Sequence, residues 1–484
     1  IVAFPENEPA AMQVKVRTLE RGLSIDASPT AHSVRNGSPN AKSRREDLTS
    51  PDLRIVRFAV VSRVTVIALS VLSDWIIPDH NPDPSVERRL STSPWLRAFT
   101  RWDAARFTTI ALEGYKKEED YAFMPVLPLT MSIGTRILGV LGGPSATVAV
   151  GLVITNCCFV LAAWLLYRLG LLVLRDQLLA FRSAMVFCFS PANVFFSSVY
   201  TESPFAVCSF GGLLLLELNR PWQGALLFGI GTGLRSNGIL NAGFLAYQCL
   251  YITVQDLQKG HTLLRTLLER SRKHVVLMLG AALSVGPFVV FQAYAWQREC
   301  YAGDTCAEAG QCELSEQPPD WCQGSVPSIY MHVQKKYWQG GLFCYWQLKQ
   351  IPNFALAAPA LALTASGVHH ILTDFGRQLG RWTEVSCESK PTPRAGAALC
   401  RAVLLCPLLP HALHWGFLAT YLLLCANVQI ATRVLGSGCP VFHWFLASLL
   451  FSRSPGKASR LLKCYIGIFN CLGIIMHPNF LPWT

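Results

Sequence analysis

Long apolar runs, separated by short polar segments, set the pattern of this chain. They lie near 55–77, 122–141, 145–167, 178–199, 203–218, 224–254, 275–297, 352–373, 402–427, 439–452 and 464–483. A helix of about 20 apolar residues crosses a hydrocarbon core about 30 Å thick. Helices satisfy their own backbone groups in lipid, and the alternating ten-residue strands of a lipid-facing barrel do not occur in the pattern. The runs therefore predict an all-α, polytopic membrane protein of about 10–12 spans. The run 224–254 is long and interrupted by Gly231-Thr232-Gly233-Leu234-Arg235-Ser236-Asn237-Gly238, so it is expected to form two half-spans.

The polar segments divide the chain. Residues 1–53 are rich in Pro, Ser, Asn and mixed charge and read as a flexible tail ahead of a multi-spanning domain, 54–484. The tail has no apolar stretch of the kind a cleaved signal needs, so the run 55–77 is expected to act as the signal anchor. In the segment 78–121, the stretch Trp95 to Ala111 has the look of interfacial amphipathic helices.

Composition sharpens this picture. Hydrophobic residues make up 51% of the chain and charged residues 15%, against about a quarter in a soluble protein. The net charge of +12 sits in short segments between apolar runs, which is the positive-inside pattern and not a nucleic-acid surface. The tail, 255–274, 374–401 and 453–463 are thereby expected to be cytosolic, with 78–121 and 298–350 luminal. Asn36, the sequon asparagine of the tail, would then stay unglycosylated. The parity of 142–254 stays open, because Arg168, Arg175 and Arg182 favour a cytosolic loop where a simple count makes it luminal. Most of the 17 cysteines sit inside apolar runs as small hydrophobes. Four share the loop 298–350: Cys300, Cys306, Cys312 and Cys322. In an oxidising lumen they are expected to pair as Cys300–Cys322 with Cys306–Cys312 nested inside. A zinc site is the rival reading, but the CxxC clip is missing and no metal site is expected.

Ionisable groups at membrane depth are costly and mark function. Asp103 lies in Arg101-Trp102-Asp103-Ala104, Glu202 in Tyr200-Thr201-Glu202-Ser203-Pro204, and Arg235 inside an apolar run. Arg433 follows another run in Gln429-Ile430-Ala431-Thr432-Arg433, and His414 lies in the run before it. Each has a plainer reading. Asp103 and Glu202 would cap helices, the arginines would snorkel to headgroups, and His414 would be a satisfied core histidine. Together they suit a membrane transferase acting on a lipid-phosphate sugar. Such an enzyme needs a carboxylate beside the acceptor hydroxyl and cationic or amide donors around the leaving phosphate. A transporter or lipid scramblase is the alternative, since transporters also break helices at the midplane, but the paired repeats they tend to show are missing here.

Several stretches, in this order, resemble the PIG-V family of GPI mannosyltransferases. They are Ile76-Ile77-Pro78-Asp79-His80, Trp102-Asp103 with Gly114-Tyr115, Ala122-Phe123-Met124-Pro125 with Pro128, and Ser190-Pro191-Ala192-Asn193-Val194-Phe195. Arg235-Ser236-Asn237-Gly238, Leu348-Lys349-Gln350-Ile351-Pro352-Asn353-Phe354 and Asn479-Phe480-Leu481-Pro482-Trp483-Thr484 follow. The tail is not covered, and Arg101 and Met124 stand where the family pattern leads one to expect His and Phe. The resemblance implies a GT-C architecture in the endoplasmic reticulum membrane with a luminal active site. It implies dolichyl-phosphate mannose as donor, a GPI precursor as acceptor and transfer of the second mannose in α-1,6 linkage with inversion. It makes Asp103 the catalytic base; from the placement of charges and donors along the chain, Trp102, Glu202, Arg235, Asn237 and Arg433 are expected to bind substrate. No cofactor is implied, and a small membrane partner subunit would be compatible with it.

Overall fold

A computed structural model describes residues 50–80, 92–138, 143–259, 261–300, 319–324, 327–385, 403, 406–452 and 456–483. Asn36, Cys306, Cys312 and most of the tail lie outside them.

The first helix, α1 (Pro51–Ile76), starts four residues before the apolar run does. Hydropathy does not set that start. Ser50 accepts the Leu53 N–H at 3.4 Å as an N-cap, and Pro51 fits the first helical position. A short 3-10 turn, Arg97–Phe99, and the amphipathic helix α2 (Asp103–Glu113) follow, so the stretch from Trp95 is largely helical. The helices α3 (Val126–Leu138), α4 (Pro144–Val173) and α5 (Gln177–Phe187) come next. After α5 the run 178–199 does not stay helical: residues 188–201 form a chain of turns, buried except at Phe189.

The centre of the fold is the series α6 (Glu202–Glu217), α7 (Pro221–Leu234) and α10 (Ser271–Cys300), with α4 packed on the outer side of α6. Small residues let α6 and α7 approach closely: a Cβ on Gly224 would stand 2.9 Å from the Gly212 carbonyl oxygen. The interrupted run 224–254 breaks as expected. Helix α7 ends at Leu234, a 3-10 turn spans Ser236–Asn241, and α8 (Ala242–Gln258) resumes. The break needs Gly238, because a Cβ there would meet the Thr232 backbone at 2.6 Å.

The short helix α9 (Leu263–Glu269) precedes α10, and α11 (Ile329–Trp338) follows it. The rest is α12 (Ile351–Val385), α13 (Leu409–Cys425), α14 (Ala431–Gly438), α15 (Pro440–Leu450) and α16 (Lys457–Met476). The fold class is all-α, as the runs predict. Among the described residues five helices are long and apolar enough to cross a membrane: α1, α4, α10, an apolar run that includes most of α12, and α16. The other apolar runs form shorter helices, two of which begin at a proline, Pro221 and Pro440, that suits the first helical position.

Candidate functional site

Asp103 opens α2 but does not cap it. The N-cap is Trp102, at φ 56° and ψ −129°, a backbone region that a bulky L-residue adopts only when its surroundings hold it there. Both sides of Trp102 are held. Arg101, 2% exposed, donates from Nη2 to Asp74 Oδ1 at 3.0 Å and to Asp79 Oδ2 at 2.7 Å. Its Nε donates to the Pro478 carbonyl at 2.9 Å, and its guanidinium lies over the Phe480 ring. Beyond Trp102, the Asp103 N–H donates to the Tyr200 hydroxyl at 3.2 Å. The carboxylate is therefore free to leave the helix end, and it accepts from Arg433 Nη1 and Nη2 at 3.0 Å each, both on Oδ2.

Arg433 joins this carboxylate to a second one. Glu202, the first residue of α6, is fully buried. Its Oε1 stands 2.5 Å from Arg235 Nη1 and 3.5 Å from Arg433 Nη1. Its Oε2 has no hydrogen-bond partner among the described residues. Arg235 occupies the break between α7 and the turn that follows, so no helical register constrains it. Its Nε donates to Asn237 Oδ1 at 3.3 Å. Two carboxylates and two guanidiniums thus cancel in charge, and the pairing offsets the desolvation each ion suffers on burial. Neither arginine snorkels: each side chain is 13% exposed and ion-paired. His414, by contrast, stands apart from this cluster, with Nδ1 3.7 Å from Cys439 Sγ and its ring against Phe244.

A cavity of about 550 Å³ opens at this cluster, and Trp102, Asp103, Glu202, Arg235, Asn237 and Arg433 all line it. Residues far apart in sequence thus meet at one cavity. One wall is α11, whose Tyr330 hydroxyl is 2.5 Å from Ser236 Oγ. This wall is tied down. Cys300 and Cys322 form the expected disulfide, joining the end of α10 to the turn before α11. Glu118 accepts from Lys336 Nζ at 2.5 Å and the Tyr337 hydroxyl at 2.8 Å, with His332 Nε2 at 2.7 Å. Burial pushes the Glu118 carboxyl up, but those hydrogen bonds and the nearby charges outweigh it and hold it below the usual carboxylate range.

The sequence reading missed the residues that hold the site from behind. Arg63 in α1 is buried and donates to Ser197 Oγ at 2.8 Å, to the Asn193 carbonyl at 3.1 Å and to the Asn193 side chain. It satisfies carbonyls that the turns 188–201 leave without helical partners, and those turns carry Tyr200 and Glu202 to the cavity. His477, buried against Tyr200 and Phe195, also lines the cavity. The signal for Arg63 and Asp74 was present, since each is a charge inside an apolar run. For Tyr200 and His477 the sequence alone offers no comparable signal.

The family model described as Mannosyltransferase (PIG-V) matches residues 52–484. The GPI alpha-1,6-mannosyltransferase 2 of Rattus norvegicus is 33% identical, over 89% of this chain and 98% of that protein. The protein of the same name from Homo sapiens is 31% identical, over 92% of this chain and 100% of that one. The GPI mannosyltransferase 2 of Drosophila melanogaster is 27% identical, over 89% and 99%. Among solved structures, the archaeal oligosaccharyltransferase AglB from Archaeoglobus fulgidus matches at a TM-score of 0.40 and 13% identity, covering 86% of this chain and 55% of that one. The match along nearly the whole spanning domain, with relatives matched over almost all of their own length, makes this membrane protein a glycosyltransferase that belongs to the PIG-V mannosyltransferase family.

Proposed function

We propose that this chain moves mannose from dolichyl-phosphate mannose to a GPI-anchor precursor, adding the second mannose in α-1,6 linkage on the luminal face of the endoplasmic reticulum membrane. The observation that carries the reading is the Asp103 carboxylate at a cavity, held through one oxygen by Arg433. A base held through one oxygen keeps the other for a proton. In the step proposed, the acceptor hydroxyl attacks the anomeric carbon while Asp103 takes its proton. The bond from that carbon to the phosphate oxygen breaks, and dolichyl phosphate leaves with the electron pair. One displacement turns the β-mannosyl phosphate into an α-mannoside. The donor is a substrate that brings its own activated sugar, so the step uses no cofactor. Arg235 and Asn237, at the helix break, and Arg433 supply donors for the departing phosphate, and Glu202 keeps the two guanidiniums in place. The relatives' names support the acceptor and the linkage. The test is expression in cells that lack GPI mannosyltransferase 2. Return of GPI-anchored proteins to the surface is expected from this chain and not from its Asp103→Asn variant. Failure of the unaltered chain, expressed and in the membrane, sinks the reading.

A further inference from the structure

The segment Leu348 to Phe354 has no role in the reaction as described, yet it begins a chain of hydrogen bonds that ends at the cavity. Asn353 Nδ2 donates to Gln350 Oε1 at 2.6 Å and to the Tyr345 hydroxyl at 2.9 Å, which uses both of its N–H groups. Tyr345, 4% exposed, donates in turn to Gln429 Oε1 at 2.7 Å. Each group in this relay has one direction. The acceptor oxygen of Gln429 is engaged from behind, so the amide turns its NH2 forward. That NH2 is two donors and no acceptor. Gln429 lines the same cavity as Asp103 and stands one helical turn before Arg433.

Charge decides what such donors are for. Arg235 and Arg433 are both committed to carboxylates, so the cluster is neutral before any substrate arrives. A phosphodiester brings a negative charge into it. The guanidiniums share that charge with the carboxylates they already serve, and a neutral amide donor adds to them without disturbing the ion pairs. We propose that Gln429 is a substrate-binding residue whose NH2 donates to a phosphate oxygen of the lipid-phosphate donor, with Tyr345 and Asn353 as positioning residues that keep the amide turned that way. The inference rests on the reading above that the donor is a lipid-phosphate sugar.

The test uses the full chain in membranes, with synthetic dolichyl-phosphate mannose and a lipid acceptor varied separately. Gln429→Leu is expected to raise the donor KM about tenfold, the loss of one hydrogen bond, and to leave the acceptor KM unchanged. Gln429→Glu puts a carboxylate where the donors were and should cost more. Tyr345→Phe removes a single oxygen remote from substrate, frees the amide to turn, and should raise the donor KM by a smaller factor. It also carries the test if Gln429→Leu fails to fold. An unchanged donor KM in both Gln429→Leu and Tyr345→Phe, or a rise confined to the acceptor KM, overturns the inference. Thermal stabilisation by dolichyl phosphate reads the contact without transfer. It should be present in the unaltered chain and lost in Gln429→Glu, and its retention there also overturns the inference. Stabilisation of an unaltered chain that transfers no mannose would count against the proposed function alone.

Discussion

Arg433 grips a single oxygen of Asp103 with both terminal nitrogens, across 330 positions of sequence. The Asp103 side chain remains one third exposed. A capping role predicts that Asn serves nearly as well as Asp. The geometry predicts otherwise, because Asp103 does not cap its helix and Asn cannot serve as a base. Asp103→Asn is expected to express normally and to lower the rate of mannose transfer at least about a hundredfold, the lower end of a general base's contribution. Asp103→Glu keeps the basicity, moves it by one methylene, and should fall between the two. Transfer assays in membranes, normalised to protein, decide between the readings.

The disulfide Cys300–Cys322 closes a loop of sequence separation 22 on one wall of the cavity. Loop closure of this size contributes about 2–4 kcal/mol. Cys300→Ser is expected to leave the helical domain folded while α11 becomes sensitive to protease and the KM values rise. A melting and proteolysis profile identical to that of the unaltered chain would remove the bridge from the support of the site.

Much of this was legible in advance, for a physical reason. Lipid forces long apolar runs into helices, so the all-α class follows from hydropathy, and charges at membrane depth stand out against it, so Asp103, Glu202, Arg235 and Arg433 could be picked as candidates. What hydropathy cannot supply is pairing. Arg235 and Arg433, of which at least one is expected to face a phosphate, also bind carboxylates from α6 and α2, a fact of tertiary packing. Nor can it set helix length, because α13 and α15 are as apolar as the longer helices but end early. Arg63 was readable as a charge in an apolar run, but its task of holding the turns 188–201 becomes visible only when those turns lose their helical hydrogen bonds.

The clasp on Glu118 gives α11 a pH dependence with a definite sign. The Glu118 carboxyl lies below its usual value of 4.5 in the fold, so the stability it contributes is fully present above that value. It is lost as pH falls through the lower, folded value. Acidification below about 4.5 is expected to release α11 from the turn at Glu118–Ala122, read as faster proteolysis of 319–338. Glu118→Gln should show that faster proteolysis already at neutral pH and no further change in this range on acidification. An acid transition of unchanged size in Glu118→Gln would assign it to other groups.

The last prediction concerns Arg101, two positions before the candidate base and bound to three parts of the chain at once. It ties Asp74 of α1, Asp79 and the Pro478 carbonyl together, and so fixes one side of the Trp102 turn. Arg101→Ala leaves Asp74, whose side chain is 1% exposed, with the half-exposed Arg97 as its ion-pair partner among the described residues. Removing one partner of a buried pair costs about 3–5 kcal/mol, and the lower end is expected because Arg97 stays. Arg101→Lys keeps the charge but replaces the planar fork by a point charge, so stability should recover further than activity. The double variant Arg101→Gln with Asp74→Asn separates the two roles. It restores charge balance, so expression and melting should approach those of the unaltered chain. If Arg101 acts by holding the strained Trp102 backbone, transfer stays low in that variant through kcat, because Asp103 is no longer aimed while the arginines and Gln429 still meet substrate. Full recovery of kcat along with stability would mean that Arg101 serves charge balance alone and that the Trp102 turn holds its shape without it.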